Sequence, residues 1–185
     1  MIIYVDLDQT LNDLVPKTLA LYNALTSKNI QMSDITTYYI DNCLPKEDVD
    51  KIYELWGKRE LWDTLEPLPD SQWGIETLVN TGHKVIIATT TYKEQFEWKL
   101  QWLSNHFPMI NPSDVIRIND KSLLRGDVLI EDNLDNLTKS TCERICLDYP
   151  YNHDKDKDWV YEIYRVHNWK EIVKAVNNID KEMKR

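Results

Sequence analysis

Apolar residues recur along this chain in two rhythms, and the change of rhythm divides it. Ile2, Ile3, Tyr4 and Val5 form a short unbroken apolar run, as expected of a strand covered on both faces. The run stops at Asp6-Leu7-Asp8, with Thr10 and Asn12 close behind. Across 14–25 the apolar positions return every three or four residues, which predicts an amphipathic helix with Pro16 in its first turn. Residues 27–45 are irregular and carry Tyr38, Tyr39 and Ile40 together. A second helix is predicted over 46–57, with Val49, Ile52, Tyr53 and Trp56 on one face and Gly57 as its stop. Glu66-Pro67-Leu68-Pro69 then forms a stiff connection.

From Asp70 onward short apolar runs alternate with helical stretches. Asp70-Ser71 is expected to cap a helix that ends near Asn80 and is closed by Gly82. Strands are predicted at 85–88, 115–118, 128–130 and 145–147, the last of these closing the sheet. Helices are predicted over 93–106 and 169–181, and the polar stretch 149–158 as a mobile surface loop. Such alternation predicts an α/β fold built on a doubly wound, mostly parallel sheet in three layers. The core is expected to comprise 1–11 and 66–185, with 12–65 as a helical insertion after the first strand.

Composition narrows the function. With 185 residues, 42% of them hydrophobic, and seven Trp and ten Tyr, the chain can bury a full core. No apolar run approaches the roughly 20 residues a membrane span needs, and nothing resembling a secretory leader precedes the first strand. Cys43, Cys142 and Cys146 are an odd set without a CxxC pair, which suits free thiols in a reducing cytoplasm. A net charge of −9 argues against extended contact with nucleic-acid backbone. It allows a small anionic substrate provided the site supplies its own positive charge. A homodimer is compatible with this composition but not required by it.

Parallel strands bring their carboxyl ends to one edge of a sheet. There the first strand would deliver Asp6 and Asp8, the second Thr89 and Thr90, and the fourth Glu131 and Asp132, with Asp135 three residues further on. Lys121 follows the third strand. Acids, hydroxyls and a lysine in one crevice suit phosphoryl transfer: oxygen ligands for a hard divalent cation, donors for phosphate oxygens, and a carboxylate nucleophile. His83 reads as a turn residue, His153 as part of a solvated acidic stretch, and Lys58-Arg59 as surface charge.

These segments (DLDQT, VIIAT ending at Thr89, Lys121, and LIEDNLD) resemble the four ordered motifs of the haloacid dehalogenase (HAD) superfamily of phosphohydrolases. The insertion at 12–65 stands where that superfamily carries a small cap. Trp56, the LEPLP segment, the ten-residue step from Lys121 to Glu131 and His167-Asn168-Trp169 make the chain similar to the 5′(3′)-deoxyribonucleotidase family. Three positions depart from the pattern: Gln9 where glycine is usual, Thr91 where proline is frequent, and Asn119 where vertebrate-type enzymes carry arginine. They bear on substrate choice more than on chemistry.

The resemblance implies a HAD-like fold and Mg²⁺-dependent hydrolysis of a phosphomonoester through an aspartyl-phosphate. The substrate it implies is a nucleoside monophosphate, a deoxyribonucleotide first, with a sugar phosphate as the alternative. Asp6 would be the nucleophile and Asp8 the acid and base. Mg²⁺ would be held by Asp6, the main-chain carbonyl of Asp8 and Asp132. Thr89, Thr90 and Lys121 would hold the phosphate, and Glu131 would fix Lys121. Asp135 would serve either as a water-mediated ligand or as a helix cap. Leu14, Tyr38, Tyr39, Ile40 and Trp56 would touch base or sugar, or else form the cap's own core. A receiver-type signalling module shares the acids, threonine, lysine and Mg²⁺. Its acceptor Asp, however, stands on a later strand than its acidic pair, and it has no helical insertion of this size.

Overall fold

Ile3 and Val5 have no exposed surface, because β1 (Ile2–Val5) runs through the middle of a sheet covered on both sides. The structure, a computed structural model, describes residues 1–185 apart from the side chain of Lys155. On one side β1 pairs in parallel with β2 (Lys84–Thr89), and on the other with β4 (Val128–Glu131). β3 (Val115–Arg117) lies beyond β2, while β5 (Glu143–Leu147) and β6 (Tyr164–Val166) lie beyond β4. The six-stranded sheet is all-parallel, in the order β3-β2-β1-β4-β5-β6. Chain order reverses beside β1, and open α/β sheets leave a crevice at such a point, outside the carboxyl ends of the strands.

Between β1 and the rest of the sheet come α1 (Leu14–Thr26), α2 (Lys46–Trp56) and α3 (Arg59–Trp62). α1 packs on α2, and the buried Asp48 accepts from the Tyr22 hydroxyl and pairs with Lys28. The two ends of this segment are pinned together. Asp13 N–H donates to the Glu66 carbonyl at 3.2 Å, and Glu66 N–H donates to the Asp13 carboxylate at 2.8 Å.

The remaining helices are α4 (Ser71–Asn80), α5 (Lys93–His106), α6 (Leu134–Lys139), α7 (Lys155–Val160) and α8 (Trp169–Met183). α4 crosses α8 at Gly74, where a Cβ would lie 2.2 Å from the Trp169 ring, so only glycine fits. The Trp169 indole in turn donates to the Thr10 carbonyl at 2.9 Å, tying the last helix to the loop after β1. Gly82, at φ 87°, supplies the left-handed turn that ends α4. No helix among the described residues is long and apolar enough to cross a membrane.

Three expectations fail. Residues 145–147 are not the last strand, because β6 follows. Its three residues, two of them polar, are too few to show an alternation. Residues 149–158 are not a loose loop: Tyr151 and Asn152 are buried in a 3₁₀ turn, and α7 begins at Lys155. Polarity misled here because the polar groups bind one another, Arg165 taking Asp148, Asp158 and Asn152 at 2.7–2.9 Å. Asp70 precedes α4 without capping it. Its φ of 61° turns the side chain away, and it pairs with Lys170 instead.

Candidate active site

Where β1 ends, Asp6 N–H still donates to the Ile130 carbonyl, but the chain then winds into a tight turn on Leu7. Gln9 takes a left-handed φ of 58° in that turn, a conformation easier for the usual glycine. Its side chain offers something glycine lacks. Gln9 Oε1 accepts from Val15 N–H at 2.8 Å and Asn12 Oδ1 from Leu14 N–H at 3.2 Å, so the turn satisfies the open donors of α1.

Asp6 Oδ1 receives the Lys121 ammonium at 2.5 Å, and the same ammonium reaches Glu131 Oε2 at 2.5 Å. Lys121 leads a short 3₁₀ turn whose Asp120 carboxylate accepts from Ser122 N–H. Asp132, the next residue after β4, completes the group. Asp6, Glu131 and Asp132 each offer an oxygen within 4.8 Å of the others, and all three are buried. Burial pushes the Asp6 carboxyl up to about 7, aided by the charge of Glu131 and opposed by Lys121. Asp132 is likewise pushed well up by burial and by the Glu131 and Asp6 charges. Burial pulls Lys121 down, but its two carboxylate partners more than offset this and leave it raised.

Three carboxylates facing one ammonium lack positive charge, and Asp132 Oδ1 is buried without a hydrogen-bond partner among the described residues. Both observations fit a hard divalent cation held by oxygen donors.

Asp8 does not share this crowding. Its carboxylate accepts from Lys99 at 2.5 Å and from Asn12 Nδ2 at 3.0 Å. The Lys99 ammonium, on α5, also reaches Thr89 Oγ1 at 2.8 Å and the Thr90 carbonyl at 3.1 Å, and lies 5.2 Å over the Trp62 ring. The Thr90 hydroxyl donates to the Ile118 carbonyl.

A cavity of about 780 Å³ opens beside these groups. Asp8, Thr90, Lys99 and Asp132 stand in its wall, with Leu14, Tyr38, Tyr39, Ile40 and Trp56 from the helical segment. Asp6, Thr89, Lys121 and Glu131 are buried and do not line it. The Trp56 indole N–H is already used, donating to Thr18 Oγ1 at 2.9 Å. Asp135 is neither in the acidic group nor a helix cap. Asn133 takes the cap position of α6, which turns Asp135 outward to Lys157 at 3.5 Å.

Sequence reasoning missed Lys99 and also Tyr151, which stacks on Tyr149. The signal for Lys99 was its place three and four residues before Trp102 and Leu103, on the buried face of α5, where a lysine needs a partner. For the tyrosines it was their i, i+2 spacing just after β5, at the edge where the other strand ends converge. The arrangement can bind a cation, hold a phosphate and enclose an aromatic ligand.

A family model described as "5′ nucleotidase, deoxy (Pyrimidine), cytosolic type C protein" matches residues 1–181. A 5′(3′)-deoxyribonucleotidase of Clostridium acetobutylicum is 29% identical over 160 residues, covering 84% of this chain and 88% of that protein. Another, of Bacillus subtilis, is 28% identical over 177 residues, covering 92% and 95%. Among solved structures, a HAD family hydrolase of Deinococcus radiodurans, with bound phosphate and sodium, has a TM-score of 0.65 at 10% identity, covering 97% of this chain and 96% of that one. A hydrolase of Pseudomonas syringae has a TM-score of 0.61 at 18% identity, covering 97% and 99%. The fold is therefore HAD-like.

Proposed function

Since this chain belongs to the 5′ nucleotidase, deoxy (Pyrimidine), cytosolic type C family and is a HAD-type nucleotidase, we propose that it hydrolyses deoxyribonucleoside monophosphates through a phosphorylated Asp6. The observation that carries the reading is the contact between two unlike halves. A charged floor meets a cavity whose far wall is aromatic, and at about 780 Å³ it lies in the range of small-ligand sites. Residues 12–65 act as a cap over that floor, and Tyr38, Tyr39 and Trp56 offer faces on which a base can stack.

In this mechanism an Asp6 oxygen attacks phosphorus as the bond to the ester oxygen breaks, and Asp8 gives that oxygen its proton. Asp8 then takes a proton from water, which displaces Asp6 and releases inorganic phosphate. Thr89 and Lys121 hold phosphate oxygens, and Glu131 keeps Lys121 in place. Lys99 fixes the direction of the Asp8 carboxylate. Asp6, Asp132 and the main-chain carbonyl of Asp8 would hold Mg²⁺, with Glu131 beside them. When bound, the ion would offset the negative charge between carboxylate and phosphate. A cytosolic location, which the family's name carries, would keep Cys43, Cys142 and Cys146 as thiols.

The test is phosphate release from dUMP, dTMP, ribonucleotides and hexose phosphates, by wild type and two variants. Deoxyribonucleotides should be turned over best, Asp6→Asn should lose at least about 10³-fold in kcat, and Asp8→Asn should accumulate phosphoenzyme visible by mass. Faster turnover of hexose phosphates would overturn the nucleotide assignment, and an active Asp6→Asn would overturn the nucleophile.

A further inference from the structure

One partly buried segment has no part in the mechanism above. Between β5 and α7, Tyr149 and Tyr151 flank Pro150 with their rings stacked, 5.2 Å apart and 7° from parallel. The Tyr149 hydroxyl donates to the Gln9 carbonyl at 2.8 Å. The next two side chains after Pro150 both grip Asp132. The Tyr151 hydroxyl donates to Oδ2 at 2.6 Å, and Asn152 Nδ2 donates to the Asp132 carbonyl at 2.8 Å. Arg165 holds Asn152 from behind, donating to its Oδ1 and to its carbonyl, both at 2.8 Å.

We propose that Tyr151 is a positioning residue for the cation site, setting the affinity for Mg²⁺ by committing one oxygen of Asp132 and leaving the other to the metal. The inference rests on the cation reading of the acidic group. A carboxylate with two unengaged oxygens can swing about its terminal torsion and meet a cation through either or both. Here the phenol O–H fixes Oδ2, and Oδ1 is the oxygen without a partner. The phenol is itself fixed, stacked on Tyr149 and met edge-on by Tyr38 at 6.1 Å. Asn152 and Arg165 set the main chain beneath Asp132, so the carboxylate is held at both ends before any ion arrives. Partners of this kind, one step behind a metal ligand, typically change metal affinity by 10- to 100-fold.

The test is calorimetric titration of Mg²⁺ into substrate-free, chelator-stripped protein. Tyr151→Phe deletes one oxygen and keeps the ring, and should weaken Mg²⁺ binding at least about tenfold. Tyr149→Phe deletes a hydroxyl from the same stack without touching Asp132, and should stay within about twofold of wild type. An unchanged Mg²⁺ affinity in Tyr151→Phe overturns the inference. So does an equal loss in both variants, since that marks general loosening of the segment. Should Tyr151→Phe fail to fold, Arg165→Gln loosens Asn152 from a distance. It should weaken Mg²⁺ about threefold, and no change there overturns the inference as well. Wild-type protein that takes up no Mg²⁺ defeats the cation reading itself, an outcome distinct from the others.

Discussion

Lys121 and Lys99 are both fully buried ammonium groups beside the same cavity, yet they sit in opposite surroundings. Lys121 faces two buried carboxyls, Asp6 and Glu131, and belongs to a group whose three carboxyls would outnumber it once ionised. Lys99 faces one carboxylate, a hydroxyl, a carbonyl and an indole face, and Asp8, its sole acidic partner, keeps 24% of its side chain exposed. The first surrounding asks for more positive charge; the second is already neutral. On the proposed reading, the surplus of acids, and not the buried lysine itself, marks the cation site.

The largest expected effect is at Lys121. Lys121→Met leaves Asp6 and Glu131 unpaired in the interior, and stranding a buried charge costs about 3–5 kcal/mol. The chelator-stripped variant should melt roughly 10 °C below wild type and be inactive. A fall of only a degree or two would mean the acids do not depend on this ammonium.

Lys99→Met comes next. Asp8 can reach solvent, so the stability loss should be smaller, about 1–2 kcal/mol. Chemistry should suffer more than binding, with kcat down about 10- to 100-fold and KM nearly unchanged. A change confined to KM would show that Lys99 serves the substrate rather than Asp8.

The smallest effect is a pH dependence that only the Lys121 side should show. Asp6 holds its proton up to about 7 in the fold, against an ordinary 3.8, so between these values the folded chain binds more protons than the unfolded one. That contribution to stability is complete below about 4 and is lost as pH rises through 7. His83, held low by burial and by the charged N-terminus, acts in the opposite sense, so the melting temperature alone is a mixed signal. The increment due to Mg²⁺ is cleaner, because an ion held by Asp6, as proposed, would compete with its proton. Thermal melts should show it small at pH 5 and several degrees at pH 8. An increment that shrinks with rising pH would sever the link between Asp6 and the cation.

The same pair of lysines shows what a sequence discloses. Lys121 was legible because it follows a strand, and strand ends have a known destination: the parallel sheet sends Asp6, Thr89, Lys121, Glu131 and Asp132 to one edge. Most of the sheet and most of the longer helices were legible for the same reason, since period alone identifies them. Lys99 was not, because it lies in the middle of a helix and its partner is 91 residues away in sequence. Tyr151 was hidden by the opposite error. Its neighbours are polar, and polar neighbours suggest solvent until one knows that Arg165 has gathered them. Of the two roles expected for Asp135, the helix cap fails, because Asn133 takes that position and accepts from the Asp135 N–H.

The hydrogen bonds joining Asp13 to Glu66 have an evolutionary corollary. Because the two ends of the intervening stretch already touch, exchanging that stretch for a shorter or longer one changes the closure entropy only slowly with length. The joint is a natural splice point. On the proposed division of labour, lineages could refashion what the enzyme recognises on one side of it and inherit the reaction on the other side intact.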